Sequence, residues 1–133
     1  MDILLDTHMA YWYLLGEKKM PRLAKELIAD RSNNVFVSLA SAWEIGIKHA
    51  KRPDSITLTA EEFIEGCNET GIVVLPIAQD QLLASMRVAQ PEGLDHHDPF
   101  DRLLLGASTA MRMKLLTHDQ KIASYDSPFV LLI

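Results

Sequence analysis

The sequence contains one cysteine, Cys67, among 133 residues. No intramolecular disulfide can form and no cysteine-based zinc site can be assembled, which suits a chain that works in a reducing compartment. No apolar run approaches the ~20 residues that a membrane-spanning helix needs. The chain begins Met1-Asp2-Ile3-Leu4-Leu5-Asp6, acidic where a secretory signal would carry Lys or Arg, so a cytoplasmic location is expected. Also missing are a phosphate-cradling Gly-rich loop, a Gly-x-Ser-x-Gly elbow and a Cys/His nucleophile. Positive charge is in deficit: 13 Lys and Arg stand against 18 Asp and Glu, a net −5. Nucleic-acid binders normally show the reverse. Either the partner is not a nucleic acid, or part of the negative charge is a metal site, neutral only when filled.

What is present is an ordinary globular mixture, 48% apolar and 23% charged, long enough for one domain over residues 1–133 with its own core. No repeat, low-complexity stretch or linker divides it. Short apolar runs alternate with amphipathic segments, which predicts an α/β fold with a parallel sheet of about five strands flanked by helices. The strands are expected at 2–5, 35–38, 72–75, 114–117 and 129–132. Leu23, Leu27 and Ile28 space one buried helical stripe, with Pro21 in its first turn. Leu39, Trp43, Ile47 and Ala50 space a second. Phe100, Leu103, Leu104, Ala107 and Met111 lie on a helix apolar around most of its circumference. Right-handed crossovers would then gather the strand C-termini on one edge, where α/β proteins bind ligands.

Acids stand at that edge. Asp6 directly follows the first strand, Asp119 comes after the fourth in Thr117-His118-Asp119, and each would serve as the N-cap of the next helix. Asp98, before Pro99, reads as another cap. Glu44 and Asp101 resist that explanation. Glu44 lies more than a turn inside a helix between Trp43 and Ile45, with an i,i+4 pair to Lys48 as its bland alternative. Asp101 falls in the first turn of the most apolar helix, where an uncompensated carboxylate costs free energy. Capping accounts for three of the five acids; a shared Mg²⁺ or Mn²⁺ accounts for all of them, since hard divalent cations prefer carboxylate oxygen.

Four blocks carry a resemblance. They are Leu4-Leu5-Asp6-Thr7-His8, Ser38-Leu39-Ala40-Ser41-Ala42-Trp43-Glu44-Ile45, His97-Asp98-Pro99-Phe100-Asp101-Arg102-Leu103-Leu104 and Leu115-Leu116-Thr117-His118-Asp119. In this order they resemble the blocks of PIN-domain proteins, in particular the VapC-type toxins of bacterial toxin–antitoxin pairs, over essentially the whole chain. The resemblance implies a Rossmann-like three-layer fold and Mg²⁺- or Mn²⁺-dependent endoribonuclease activity. It places Asp6, Glu44, Asp101 and Asp119 as metal ligands, with Asp98 as an accessory catalytic residue. It also implies an RNA substrate and a small cognate antitoxin; a homodimer is expected as well, from the apolar surplus of the first helix. One departure is Leu105-Gly106-Ala107-Ser108, where relatives often carry Ile-Ala-Gln-Ala; another is His118, at a position often basic in relatives.

Other residues carry weaker expectations. Thr7 and Thr117 could position a water or a phosphate oxygen, or only satisfy nearby backbone. His96 and His97 precede the acidic pair and could touch the scissile phosphate, but loop histidines are more often simply solvated, and neither is counted in the site. Lys48, Lys51 and Arg52, and separately Lys18, Lys19 and Arg22, are candidates for RNA-backbone contacts. Bulky groups at Met9, Tyr11, Trp12, Tyr13, Leu14 and Leu15 exceed what one core face absorbs, which suggests a groove for a partner. Cys67 reads as half-buried filler. The rival to the nuclease is a non-catalytic RNA-binding or scaffold domain of the same fold, against which the complete acid set argues. A metal-dependent phosphatase of another α/β fold would want a second Asp two residues after Asp6, where His8 stands.

Overall fold

The computed structural model describes residues 1–133. Strand β1 (Asp2–Leu5) leads into α1 (Thr7–Leu15) and α2 (Arg22–Ala29); β2 (Asn34–Ser38) leads into α3 (Leu39–Lys51) and α4 (Ala60–Glu69). Then come β3 (Val73–Leu75), α5 (Gln79–Met86), α6 (Pro99–Met111), β4 (Lys114–Thr117), α7 (Gln120–Ala123) and β5 (Val130–Leu132). All five strands pair in parallel, in the order β3-β2-β1-β4-β5. Each expected strand is present to within one residue at its start.

Parallel strands bury both faces, so their sequences are continuous apolar runs rather than alternations. Neighbouring residues divide between the faces. Ile3, Leu5, Val35 and Val37 join Met9, Ala24, Phe63 and Cys67 in one core, while Leu4 and Leu115 join Leu104, Leu105 and Ile122 in another. The result is the expected three-layer α/β fold, and no helix is long and apolar enough to cross a membrane.

Two helical stripes turn out differently. In α2 the buried residues are Ala24 and Ile28, and Leu23 is exposed. In α3 the buried face is Ala40, Ser41, Ala42, Glu44 and Ile45, while Leu39 is exposed and Trp43 is 59% exposed. Small side chains at Ala40, Ser41 and Ala42 let α3 sit close to its neighbours, with Ile45 as the large apolar group on the buried face. Cys67 is fully buried, and burial pushes its thiol up to about 12. The apolar surplus of α1 is largely absorbed: Met9 and Tyr11 are buried, Trp12, Tyr13 and Leu14 pack against the core, and only Leu15 is exposed. α1 therefore leaves little apolar surface for a partner groove. Gly106 of α6 faces α5 so closely that a Cβ there would lie 2.4 Å from the Ser85 backbone nitrogen.

Candidate functional site

The sheet order reverses between β1 and β4, which leaves a crevice at their C-terminal ends. Asp6 and Asp119 leave these two strands. The Asp6 N–H donates to the Leu116 carbonyl at 3.0 Å. The Thr117 hydroxyl donates to Asp6 Oδ2 at 2.8 Å and accepts from the Asp119 N–H at 3.0 Å. Thr117 thus fixes both turns at once. Asp6 occupies the N-cap position of α1 but its side chain makes no capping bond, so the capping explanation fails for it. Asp119 does cap α7, accepting from the Lys121 N–H at 2.8 Å. Thr7 is spoken for by a hydroxyl contact of 2.8 Å with Ser41.

Glu44 comes to the same edge from the buried face of α3 and is 2% exposed. Its Oε2 lies 2.6 Å from Lys48 Nζ, so the i,i+4 pair exists. Its Oε1 is the one buried side-chain polar atom of the protein without a hydrogen-bond partner. An orphaned carboxylate oxygen is costly, on the order of 1–3 kcal/mol, and calls for an explanation. Asp98 caps α6 as expected, Oδ1 accepting from the N–H groups of Phe100 at 2.9 Å and Asp101 at 3.2 Å.

Asp101 is 8% exposed, and its Oδ2 lies 2.9 Å from His96 Nε2. His96 is itself buried, with Nδ1 2.9 Å from the Tyr125 hydroxyl. A ring protonated on Nε2 donates to Asp101 and accepts from Tyr125. The reading of His96 as solvated is therefore wrong: its partners lie 5 and 29 positions away, beyond any local pattern. Its neighbour His97 is exposed and pairs only with Asp95.

Burial, and then the charges of Asp6, Asp98, Glu44 and Asp119, push the Asp101 carboxyl up to about 8. Burial also raises Asp6, against the lowering influence of the Thr117 hydrogen bond and of His8. The five acids, drawn from four separate blocks, therefore share one electrostatic field. No three His, Cys, Asp or Glu side chains converge into a coordination shell; Lys48 and His96 each engage one carboxylate oxygen of the set.

Two clefts flank the acids. One, of about 290 Å³, is lined by Asp6, His8, Met9, Trp12, His118 and Asp119. The other, of about 270 Å³, sets Lys48, Lys51 and Arg52 beside Glu44, Asp98 and Phe100. The first basic cluster thus adjoins the acids. In the second, Lys19 lies over the Trp12 ring and Arg22 pairs with Glu26. A larger cleft of about 410 Å³ opens between Leu105, Val88 and Pro128 and includes none of the five acids.

The sequence profile described as PIN domain matches residues 3–128. A comparison with curated proteins gives no match. Among solved structures, the crystal structure of VapBC2 from Rickettsia felis bound to a DNA fragment from their promoter superposes with a TM-score of 0.69. That match covers 100% of this chain and 98% of the other at 16% identity, a likeness of fold.

Proposed function

The chain belongs to the PIN domain family, and on that premise we propose that it is a metal-dependent endoribonuclease, the toxin of a toxin–antitoxin pair. The observation that carries this reading is the buried, unpartnered Glu44 Oε1 at the edge that also holds Asp6, Asp98, Asp101 and Asp119. Every donor is a carboxylate oxygen, the set that Mg²⁺ and Mn²⁺ prefer, and a cation would supply the missing partner and relieve the repulsion. Asp6, Glu44, Asp101 and Asp119 would hold it, with Asp98 as an accessory. When bound, such a cation lowers the pKa of water and offsets charge building on the phosphate.

The protein's own groups prepare that chemistry. Thr117 holds Asp6 and the Asp119 turn in register, and His96 holds Asp101. Asp98 spends one oxygen on the α6 cap, which leaves its other oxygen for orienting water. Lys48, Lys51 and Arg52 offer positive charge to the RNA backbone despite the net −5. With water rather than the ribose 2′-hydroxyl as nucleophile, the products carry a 5′-phosphate and a 3′-hydroxyl.

A small antitoxin and a homodimer belong to the same reading, and the solved VapBC2 complex on promoter DNA supports the antitoxin. Leu82, Leu83 and Met86 on α5, with Leu39 and Trp43 on α3, are exposed apolar groups suited to such contacts. A cytoplasmic location also belongs to it. Assays on single-stranded RNA and on small phosphate esters, with Mn²⁺, Mg²⁺ or EDTA, test the activity. Cleavage of RNA alone, dependent on the cation and lost in Asp6→Ala, is expected. RNA binding without cleavage would favour the non-catalytic scaffold instead.

A further inference from the structure

The cleft over Asp6 has walls that the acids do not require. His8 and Trp12 stand one turn apart on α1, and His118 immediately precedes Asp119 on the opposite wall. The Trp12 ring is at the centre of this group, with its centroid 6.1 Å from that of His8 and 6.2 Å from that of His118. Lys19 Nζ lies 5.5 Å from the Trp12 centroid. One side of Trp12 packs against the core, which fixes the indole, and the cleft adjoins the rest of it. His118 is tethered through Nδ1 to the Ile133 carbonyl. Trp12 is thus held by packing and His118 by one hydrogen bond.

These walls suit a base better than a phosphate. Away from the two carboxylates, ring faces and edges offer a planar aromatic group stacking and edge-on contacts that a phosphate cannot use. Asp6 and Asp119 belong both to this cleft and to the site where the scissile phosphate would lie, so a nucleotide attached to that phosphate is within reach of it. A base can enter only when it is unpaired and unstacked, as in a loop or a single strand. We propose that Trp12, His8 and His118 form a base-binding subsite that takes one unpaired nucleobase beside the phosphate to be cleaved. The subsite rests on the nuclease reading and adds to it a requirement for an unpaired base at one position of the substrate. Lys19, with Nζ over the Trp12 ring, adds positive charge beside it.

The test is equilibrium binding of a short fluorescein-labelled single-stranded oligoribonucleotide, with Ca²⁺ as a hard, oxygen-preferring cation in place of Mg²⁺. Trp12→Ala should weaken binding about 10- to 100-fold, the effect of losing one stacked base, and Trp12→Phe should retain most of the affinity. An abasic nucleotide walked along the oligonucleotide should reveal one position whose loss costs the wild-type chain the same factor and costs Trp12→Ala nothing further. With Trp43→Phe, the remaining tryptophan is Trp12, and the RNA should quench its fluorescence unless that same position is abasic. This last measurement decides the matter even if Trp12→Ala does not fold. Unchanged RNA binding by folded Trp12→Ala, or quenching indifferent to every abasic position, overturns the subsite while leaving the nuclease reading intact. The same holds if Trp12→Ala weakens only a complex with a protein partner. A wild-type chain that binds no RNA overturns both.

Discussion

Thr117 joins two acids that lie 113 residues apart in sequence, donating its hydroxyl proton to Asp6 and accepting from the backbone of Asp119. Its side chain is fully buried. Thr117→Val keeps the shape and removes both bonds, at a cost of about 1–3 kcal/mol. The hydrogen bond also lowers the Asp6 carboxyl, so without it Asp6 ionises at higher pH. The acid limb of the pH–rate profile for RNA cleavage should move upward in Thr117→Val and return in Thr117→Ser. An unmoved profile in the Val variant would show that Thr117 only completes the backbone.

The adjacent histidines should behave oppositely. His96→Ala leaves Asp101 Oδ2 and the Tyr125 hydroxyl without their shared partner, inside the protein. Urea unfolding should register a loss of about 1–3 kcal/mol, with a fall in cleavage rate. His97→Ala touches only an exposed pair with Asp95 and should change neither. Equal effects of the two substitutions would remove His96 from the account.

Asp101 should make the cation-free protein less stable as pH rises. In the folded chain its carboxyl keeps a proton up to about pH 8, whereas the unfolded chain releases it near the ordinary value of 3.8. Between these values the folded state binds more protons, so stability falls with rising pH and levels off above the upper one. Thermal melts in EDTA from pH 5 to 8 should show that slope, and Asp101→Asn should flatten it and raise stability at pH 8. Saturating Mn²⁺ favours the ionised acids, so its stabilising effect should grow across the same range. A flat cation-free profile in the wild-type chain would contradict the shared field.

Gly106 predicts a cost where helix propensity predicts a gain. Gly→Ala inside a helix ordinarily stabilises by up to about 1 kcal/mol. Here the new Cβ would meet the Ser85 nitrogen at 2.4 Å and the Gln81 carbonyl at 2.7 Å, both backbone atoms that cannot swing aside. Overpacking of this kind costs about 1–3 kcal/mol, so Gly106→Ala should lower the melting temperature. A rise would mean that α5 yields freely.

How far the sequence reveals this molecule depends on the range of the interactions involved. The strands were legible because a parallel strand buried on both faces is a continuous apolar run, as Ile3-Leu4-Leu5 and Leu115-Leu116 show. Asp98 was legible because a cap is a local bond. The α3 stripe was misjudged because hydrophobicity marks Leu39 and Trp43, whereas close packing selected Ala40, Ser41 and Ala42. Glu44 inside that buried face is consequently better isolated from solvent than its neighbours in sequence suggest. His96 was missed because both its bonds depend on tertiary placement. Gly106 was noted as unusual, but only the approach of α5 explains it.

The central claim is that these carboxylates form one cation site, and calorimetric titration of Mn²⁺ into cation-free protein tests it most directly. The wild-type chain should bind, and Asp101→Asn, folded and at least as stable without the cation, should lose affinity by well over about tenfold. Asp98→Asn keeps a competent cap and should lose no more than about tenfold, as expected of a residue that orients ligands without being one. No heat of binding in the wild-type chain, or equal affinity in Asp101→Asn, would contradict the account.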